Sequence, residues 1–162
     1  VGCGSGALAI AVAKRNPTAK IIGIDRWGKE YASYSKNLCE KNAKAENVNN
    51  VKFRTGNAAK IDFSDERFDT VTSNYVYHNI SNINRQELLL ETLRLLKKGG
   101  TFVIHDIFSE RKYGDMQLFI KDLKNMGYEK VRLIDTTDGI FMTKKEAMMY
   151  SLSYSAILYG KK

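Results

Sequence analysis

The chain has 162 residues, 43% hydrophobic and 27% charged, with one Pro and 12 Gly, which is the composition of one soluble domain and excludes a disordered or collagen-like chain. Its longest apolar run, Ala7 to Ala13, is far short of the roughly 20 residues a membrane-spanning helix needs. The net charge of +8 would suit nucleic acid or a phospholipid surface, but Lys and Arg form no dense run, and lysines scattered for solubility explain it better.

The chain opens on Val1-Gly2-Cys3-Gly4-Ser5-Gly6. Glycines at alternate positions let the backbone turn sharply and approach a ligand closely. The run that follows reads as a helix over Ala7–Arg15, so the loop would present free backbone N–H groups to a ligand. Asn16-Pro17 ends that helix. In a doubly wound fold a strand precedes such a loop, and only Val1 stands there. The expectation is therefore a partial chain, lacking its first strand and an N-terminal segment. Cys3 and Cys39 have no framework spacing and suggest a reducing, cytoplasmic setting. Peripheral or upstream-anchored membrane association of a longer protein stays open.

Lys20–Ile24 is a short apolar run of strand length, closed by Asp25. Gly28–Ala45 reads as a helix with Tyr31, Tyr34 and Leu38 on one face and Cys39 beside them as an apolar filler. Val51, Phe53 and Thr55 alternate, so Val51–Thr55 is a strand closed by Gly56-Asn57. Asp69–Ser73 is the next strand, ending at Asn74. Asn84 caps a helix over Arg85–Lys98, with Leu89, Leu93 and Leu96 as its buried stripe and Gly99-Gly100 as its stop. Thr101–Ile107 is a strand of high β-propensity. A helix over Asp115–Met126 precedes two last strands, Val131–Asp135 and Ser153–Tyr159. No long helix separates these two, so they should run antiparallel. The alternation predicts an α/β fold: one doubly wound, mostly parallel sheet with helices on both faces and an antiparallel C-terminal strand.

In such sheets the ligand lies beyond the carboxyl ends of the strands. The residues there are Gly2–Gly6, Asp25, Asn57 with Ala58, then Asn74, Tyr75 and His78, then His105 and Asp106. Asp25 lies 19 residues beyond Gly6, at a strand end, where an acid accepts hydrogen bonds from both ribose hydroxyls of a nucleoside. Trp27 either lies against the same ligand or packs. His105 and Asp106 alternate, so at most one faces the rim, and His105 reads as a satisfied interior or edge residue. No His/Cys/Asp cluster has metal-ligand spacing, so no metal is expected.

The loop is GxGxG, whereas the dinucleotide fingerprint is GxGxxG. VGCGSG, IIGIDRW, TGNA, FDTVTSNYVYH and LLKKGGTFVI, in that order and spacing, resemble the class I S-adenosylmethionine-dependent methyltransferases. The resemblance covers Val1 to about Ile107. It implies a single Rossmann-like domain over residues 1–162, with S-adenosylmethionine as cofactor and S-adenosylhomocysteine as product. It implies that Gly2, Cys3, Gly4 and Gly6 lie against the methionine and ribose, with Asp25 at the ribose hydroxyls and Arg26 beside it. Asn57 and Ala58 match the pair at the adenine, where Asn replaces the family's Asp. Asn74 matches the position near the sulfonium. Lys98 replaces the proline of the family's LKPGG turn.

Methyl transfer from a sulfonium is an in-line displacement, and a base is needed only where the acceptor must lose a proton. His78, just beyond the fourth strand, is the candidate base; otherwise it is a helix-start histidine bonded to backbone. One of Tyr75 and Tyr77 should face the core and the other an acceptor pocket. The expected acceptor is a small molecule or a lipid. The alternatives are an RNA methyltransferase, on the basic charge, and a non-catalytic nucleotide- or S-adenosylmethionine-binding domain. Acceptor specificity would lie in an N-terminal segment and around Phe108–Asp115 and Thr136–Met149. Phe141, Met142, Met148, Met149 and Tyr150 make the latter apolar and adaptable.

Overall fold

The computed structural model describes residues 1–29, 32–139 and 141–162. The chain forms two compact units, Val1–Asp62 and Phe63–Lys162.

In the first unit, α1 (Ala7–Arg15) is followed by β1 (Ile21–Asp25), α2 (Lys36–Ala45) and β2 (Val51–Thr55). The two strands pair in parallel, Ile21 opposite Val51 through to Asp25 opposite Thr55. Ala9 and Ile10 of α1, Cys39 and Ala43 of α2, and Phe53 of β2 form one buried cluster, with Cys3, Trp27 and Val48 packed against it. The second helix is shorter than the sequence pattern suggests. It starts at Lys36, where the Ser35 side chain accepts the Leu38 N–H, because a Ser N-cap outcompetes continued helix upstream. Tyr31, expected on that helix, lies outside the described residues.

The second unit runs β3 (Phe68–Asn74), α3 (Arg85–Leu93), β4 (Leu96–Ile107), α4 (Glu110–Tyr113), α5 (Met116–Asn125), β5 (Glu129–Asp135), α6 (Lys144–Met149) and β6 (Ser155–Lys161). Its sheet has the order β3-β4-β6-β5. β3 and β4 are parallel, and β6 is antiparallel to both of its neighbours. Three strands thus run one way and the C-terminal strand runs against them, as the sequence suggests. Leu88, Leu89, Leu93, Leu96, Phe102, Ile104, Leu123 and Leu158 are its buried centre.

The helix expected over Arg85–Lys98 ends instead at Leu93, and Lys97–Gly100 belong to β4. The pairing there jumps from Phe68 opposite Leu96 to Thr70 opposite Thr101, so Lys97-Lys98-Gly99-Gly100 is a bulge in the strand. A Cβ on Gly100 would stand 2.9 Å from the Lys97 carbonyl oxygen and 3.0 Å from that of Asp69. Gly100 is there for backbone crowding within the sheet and Gly99 for its φ of +79°, not to stop a helix. Two short helices, α4 and α6, escape the sequence reading. The second carries a full capping box between Thr143 and Glu146, a signal that was legible.

Candidate functional site

Each unit carries a polar cluster at the carboxyl ends of its strands. In the first, Gly2, Gly4 and Gly6 hold φ values of 66°, 52° and 90°, left-handed conformations that glycine adopts without strain. Asp25 sits at the end of β1 and pins this loop: its Oδ2 accepts the Gly4 N–H at 2.8 Å and its Oδ1 accepts the Trp27 N–H at 2.8 Å. The Gly4 carbonyl is held in turn by the Trp27 indole N–H at 2.9 Å and by the Cys39 thiol at 3.1 Å. Asn42 donates to the Ser5 carbonyl at 2.9 Å, and Gly6 N–H to the Cys3 carbonyl at 2.7 Å. The loop is therefore fastened from α2, β1 and the segment after β1, and by one bond of its own.

Trp27 is thus a clamp on the glycine loop as well as a packing residue. Cys39 is more than a filler, since its S–H donates to the loop. Burial, reinforced by Cys39 and Asp25, pushes the Cys3 thiol up to about 12, so Cys3 is an inert neutral group and not a nucleophile.

The residues fit a nucleoside cofactor on three counts. α1 begins on Gly6 with no side-chain cap, so its first N–H groups remain open to a ligand. Each Asp25 oxygen accepts one N–H in the bonds above, and a carboxylate oxygen has capacity for a second. Asn57 uses its Oδ1 on the Ala59 N–H at 2.9 Å, in an Asx turn, which leaves its NH2 to donate. Arg26 and Asn57 are exposed, and Ala58 is half-buried.

The second cluster lies at the carboxyl ends of β3 and β4. Along β4, Phe102, Ile104 and Asp106 are buried on one face, and His105 is on the other. Asp106 is fully buried. Its Oδ2 accepts the N–H of Val76 at 3.1 Å and of Tyr77 at 2.8 Å; its Oδ1 accepts its neighbour Ile107 N–H at 2.7 Å and meets His78 Nδ1 at 2.5 Å. Burial opposes its ionisation, but the His78 ring and these N–H groups outweigh burial and hold the carboxyl below the usual range.

His78 lies in the short 3-10 turn Tyr77–Asn79. Its own N–H points at Asp106 Oδ2, 3.4 Å away, and its carbonyl accepts from Lys112 Nζ at 3.3 Å, so distant side chains hold its backbone and the same carboxylate aims its ring. Because Asp106 takes Nδ1–H, the lone pair of the neutral ring is on Nε2. Among the described residues Nε2 has no hydrogen-bond partner. Tyr77 is buried, with its hydroxyl 2.7 Å from Thr92 Oγ1, and burial raises that phenol to about 12. Tyr75 turns the other way, with a φ of 54°, toward His105 and Ser155.

On the opposite face, His105 contacts Asn74, Tyr75 and Thr136. Phe141, 65% exposed, lies against its ring with centroids 6.2 Å apart. His105 and Asp106 therefore lie on opposite faces of β4, as their alternation predicts, and both contact the β3 end. What the sequence reading missed is Asp106 as the partner of His78. A signal was present: Asp106 falls on the same strand parity as Phe102 and Ile104, and a carboxylate on a buried face demands partners.

Residues 1–152 match the model of a family described as a methyltransferase domain. The chain is 30% identical over 118 residues to the release factor glutamine methyltransferase of Aliivibrio fischeri, a match covering 70% of this chain and 40% of that protein. It is 31% identical over 123 residues to the demethylmenaquinone methyltransferase of Geobacillus stearothermophilus, covering 74% and 48%. The chain thus spans less than half the length of these relatives. Among solved structures, the [4+2]-cyclase SpnF superposes with a TM-score of 0.71 at 17% identity, over 99% of this chain and 73% of that one. Phosphoethanolamine N-methyltransferase 2 of Haemonchus contortus, in complex with S-adenosyl-L-methionine, gives 0.70 at 16% identity, over 99% and 47%. These likenesses show the Rossmann-like α/β fold of the class. A cyclase among them is a reminder that the fold alone does not decide the chemistry.

Proposed function

Since the chain belongs to the class I S-adenosylmethionine-dependent methyltransferase family, we propose that it transfers a methyl group from that cofactor to a small-molecule or lipid acceptor whose reacting atom gives its proton to His78. The observation that carries the second half is the His78–Asp106 pair, 2.5 Å between Nδ1 and Oδ1.

When bound, S-adenosylmethionine supplies a methyl group activated on a positively charged sulfur. Gly2, Cys3, Gly4, Gly6, Asp25, Arg26, Asn57 and Ala58 would hold it, with Asn74 as the residue that the family resemblance assigns to the sulfonium. Asp106 keeps the His78 proton on Nδ1 and so presents the Nε2 lone pair to the acceptor. As Nε2 takes the acceptor proton, the buried carboxylate stabilises the imidazolium that forms. The family match runs across both units, which supports their serving one domain. Phe141, Met148, Met149, Tyr150 and Tyr154 are each more than 60% exposed; such an apolar surface supports an apolar acceptor over a charged polymer.

Calorimetry with S-adenosylmethionine and, separately, NAD tests the cofactor. Heat with NAD alone would sink the reading. Release of S-adenosylhomocysteine is then followed over quinol, phospho-base, glutamine-peptide and RNA acceptors. Turnover of RNA alone, with binding that falls steeply as salt rises, would transfer the reading to nucleic acid. Cofactor binding without turnover of any acceptor would favour a non-catalytic domain.

A further inference from the structure

The hydroxyl protons around His105 can be placed one by one. Ser155 Oγ stands 2.6 Å from the Leu152 carbonyl, and Thr136 Oγ1 stands 2.9 Å from the Ser155 carbonyl. A carbonyl only accepts, so both hydroxyls spend their single proton there. Ser155 Oγ is then left to accept, and takes the Tyr75 hydroxyl proton at 2.9 Å. Tyr75 Oη and Thr136 Oγ1 also face His105 Nε2, at 3.3 and 3.1 Å. With their protons committed elsewhere they offer it lone pairs only. Nε2 must therefore carry a hydrogen and share it between them.

The other ring nitrogen lies 3.0 Å from the atom placed as Asn74 Oδ1. Oxygen and nitrogen of a carboxamide have the same shape, and only the hydrogen-bond network tells them apart. Either the ring is an imidazolium donating to the Asn74 oxygen, or it is neutral and accepts from the Asn74 NH2. The ring is half-buried, and burial, the larger effect, lowers its pKa, with Asp106 pulling weakly the other way. Asp106 is already committed to His78, Val76, Tyr77 and Ile107. The other group titrating against the ring is Tyr75, and Phe141 on the remaining side carries no charge.

We propose that His105 is a positioning residue: a neutral Nε2–H imidazole whose bare Nδ1 accepts from the Asn74 NH2 and thereby fixes the Asn74 carbonyl oxygen pointing outward. Asn74 is exposed at the end of β3, so the free end of its carboxamide is open to a ligand. An outward carbonyl oxygen is the group that a positively charged methyl-sulfonium attracts, through C–H···O contacts and the carbonyl dipole. An outward NH2 would repel it. This use of the device rests on the reading of Asn74 as the residue beside the sulfonium.

The chain has two histidines, so long-range 1H–15N correlation spectra of the imidazole rings are simple, and His105→Gln assigns them. The expected spectrum at pH 7 is a neutral Nε2–H ring at His105. In Asn74→Asp the carboxylate can only accept, so the ring gains a second proton and its titration midpoint rises by about 1 to 3 units. An imidazolium or an Nδ1–H ring in the unaltered protein overturns the proposal, as does an unmoved midpoint in Asn74→Asp. For turnover, His105→Phe should lower kcat by about 10- to 100-fold with little change in KM for the cofactor. His105→Gln, which can donate and accept in the same two directions, should restore most of it. Loss of kcat matched by a lowered melting temperature in both variants would mark a merely structural residue and count against the proposal. If the spectra come out as expected but Asn74→Ala binds and turns over the cofactor normally, the reading of Asn74 fails while the tautomer assignment stands.

Discussion

His78 Nδ1 lies 2.5 Å from Oδ1 of Asp106, a fully buried carboxylate 28 residues further along the chain. The same carboxylate accepts the backbone N–H groups of Val76 and Tyr77, so the turn that carries His78 and the ring itself are fixed by one anion. In the proposed role as base, a ring held in this way keeps its geometry with no ordering cost at the moment of reaction.

Asp106→Asn should expose this dependence. The amide can offer its NH2 to Nδ1, which moves the ring proton to Nε2 and removes the lone pair that faces the acceptor. Turnover should fall by about 10²- to 10⁴-fold, while cofactor binding measured by calorimetry stays within about twofold. Unchanged kcat would rule out His78 as the base.

Asp25 serves the loop before it serves any ligand. In Asp25→Ala the Gly4 and Trp27 N–H groups lose their acceptor, at a cost of about 1 to 3 kcal/mol. Urea unfolding should show that loss, and the dissociation constant for S-adenosylmethionine should rise at least about tenfold. A variant that is destabilised yet binds normally would leave Asp25 a loop clamp alone.

Two glycines separate crowding from backbone conformation. Gly100→Ala drives a Cβ against the Lys97 and Asp69 carbonyls at 2.9 and 3.0 Å, and backbone atoms cannot swing aside. The expected loss is about 2 to 3 kcal/mol. Gly127, with φ of +96° and nothing within 4 Å of an added Cβ, should cost about 1 to 2 kcal/mol as Ala. Denaturant midpoints for the pair check the order.

The pH dependence follows from His105 and Asp106. Burial lowers the folded pKa of His105 below its ordinary 6.5. The unfolded chain then takes up that proton first as pH falls, so stability present above pH 6.5 is lost below it. The folded pKa of Asp106 lies below its ordinary 3.8, which adds a second loss as pH falls from there. Melting temperatures between pH 8 and 5 should decline, and His105→Gln should flatten the decline.

Local signals carried most of the elements. The GxGxG loop, the closed apolar runs of β1 and β2 and the Leu stripe of α3 are short-range patterns, and their elements stand within a few residues of the expected bounds except where α2 and α3 are shorter. Lys97–Gly100 misled because Gly-Gly stops a helix or permits a bulge equally well. Only the β3–β4 register distinguishes the two.

The sequence by itself determined the α/β class and the glycine loop with its acid 19 residues on, and it offered His78 as a candidate base. These depend on spacing and period, which a linear chain displays. Tertiary structure decided what holds each group. Trp27 and Cys39 meet the Gly4 carbonyl, Asp106 meets His78, and Tyr75 and Thr136 meet His105. Those partners come from different strands and helices, and a hydrogen bond between distant segments leaves no periodic trace along the chain. What does leave a trace is its cost: a carboxylate on the buried parity of β4, which folding tolerates only with its partners in place.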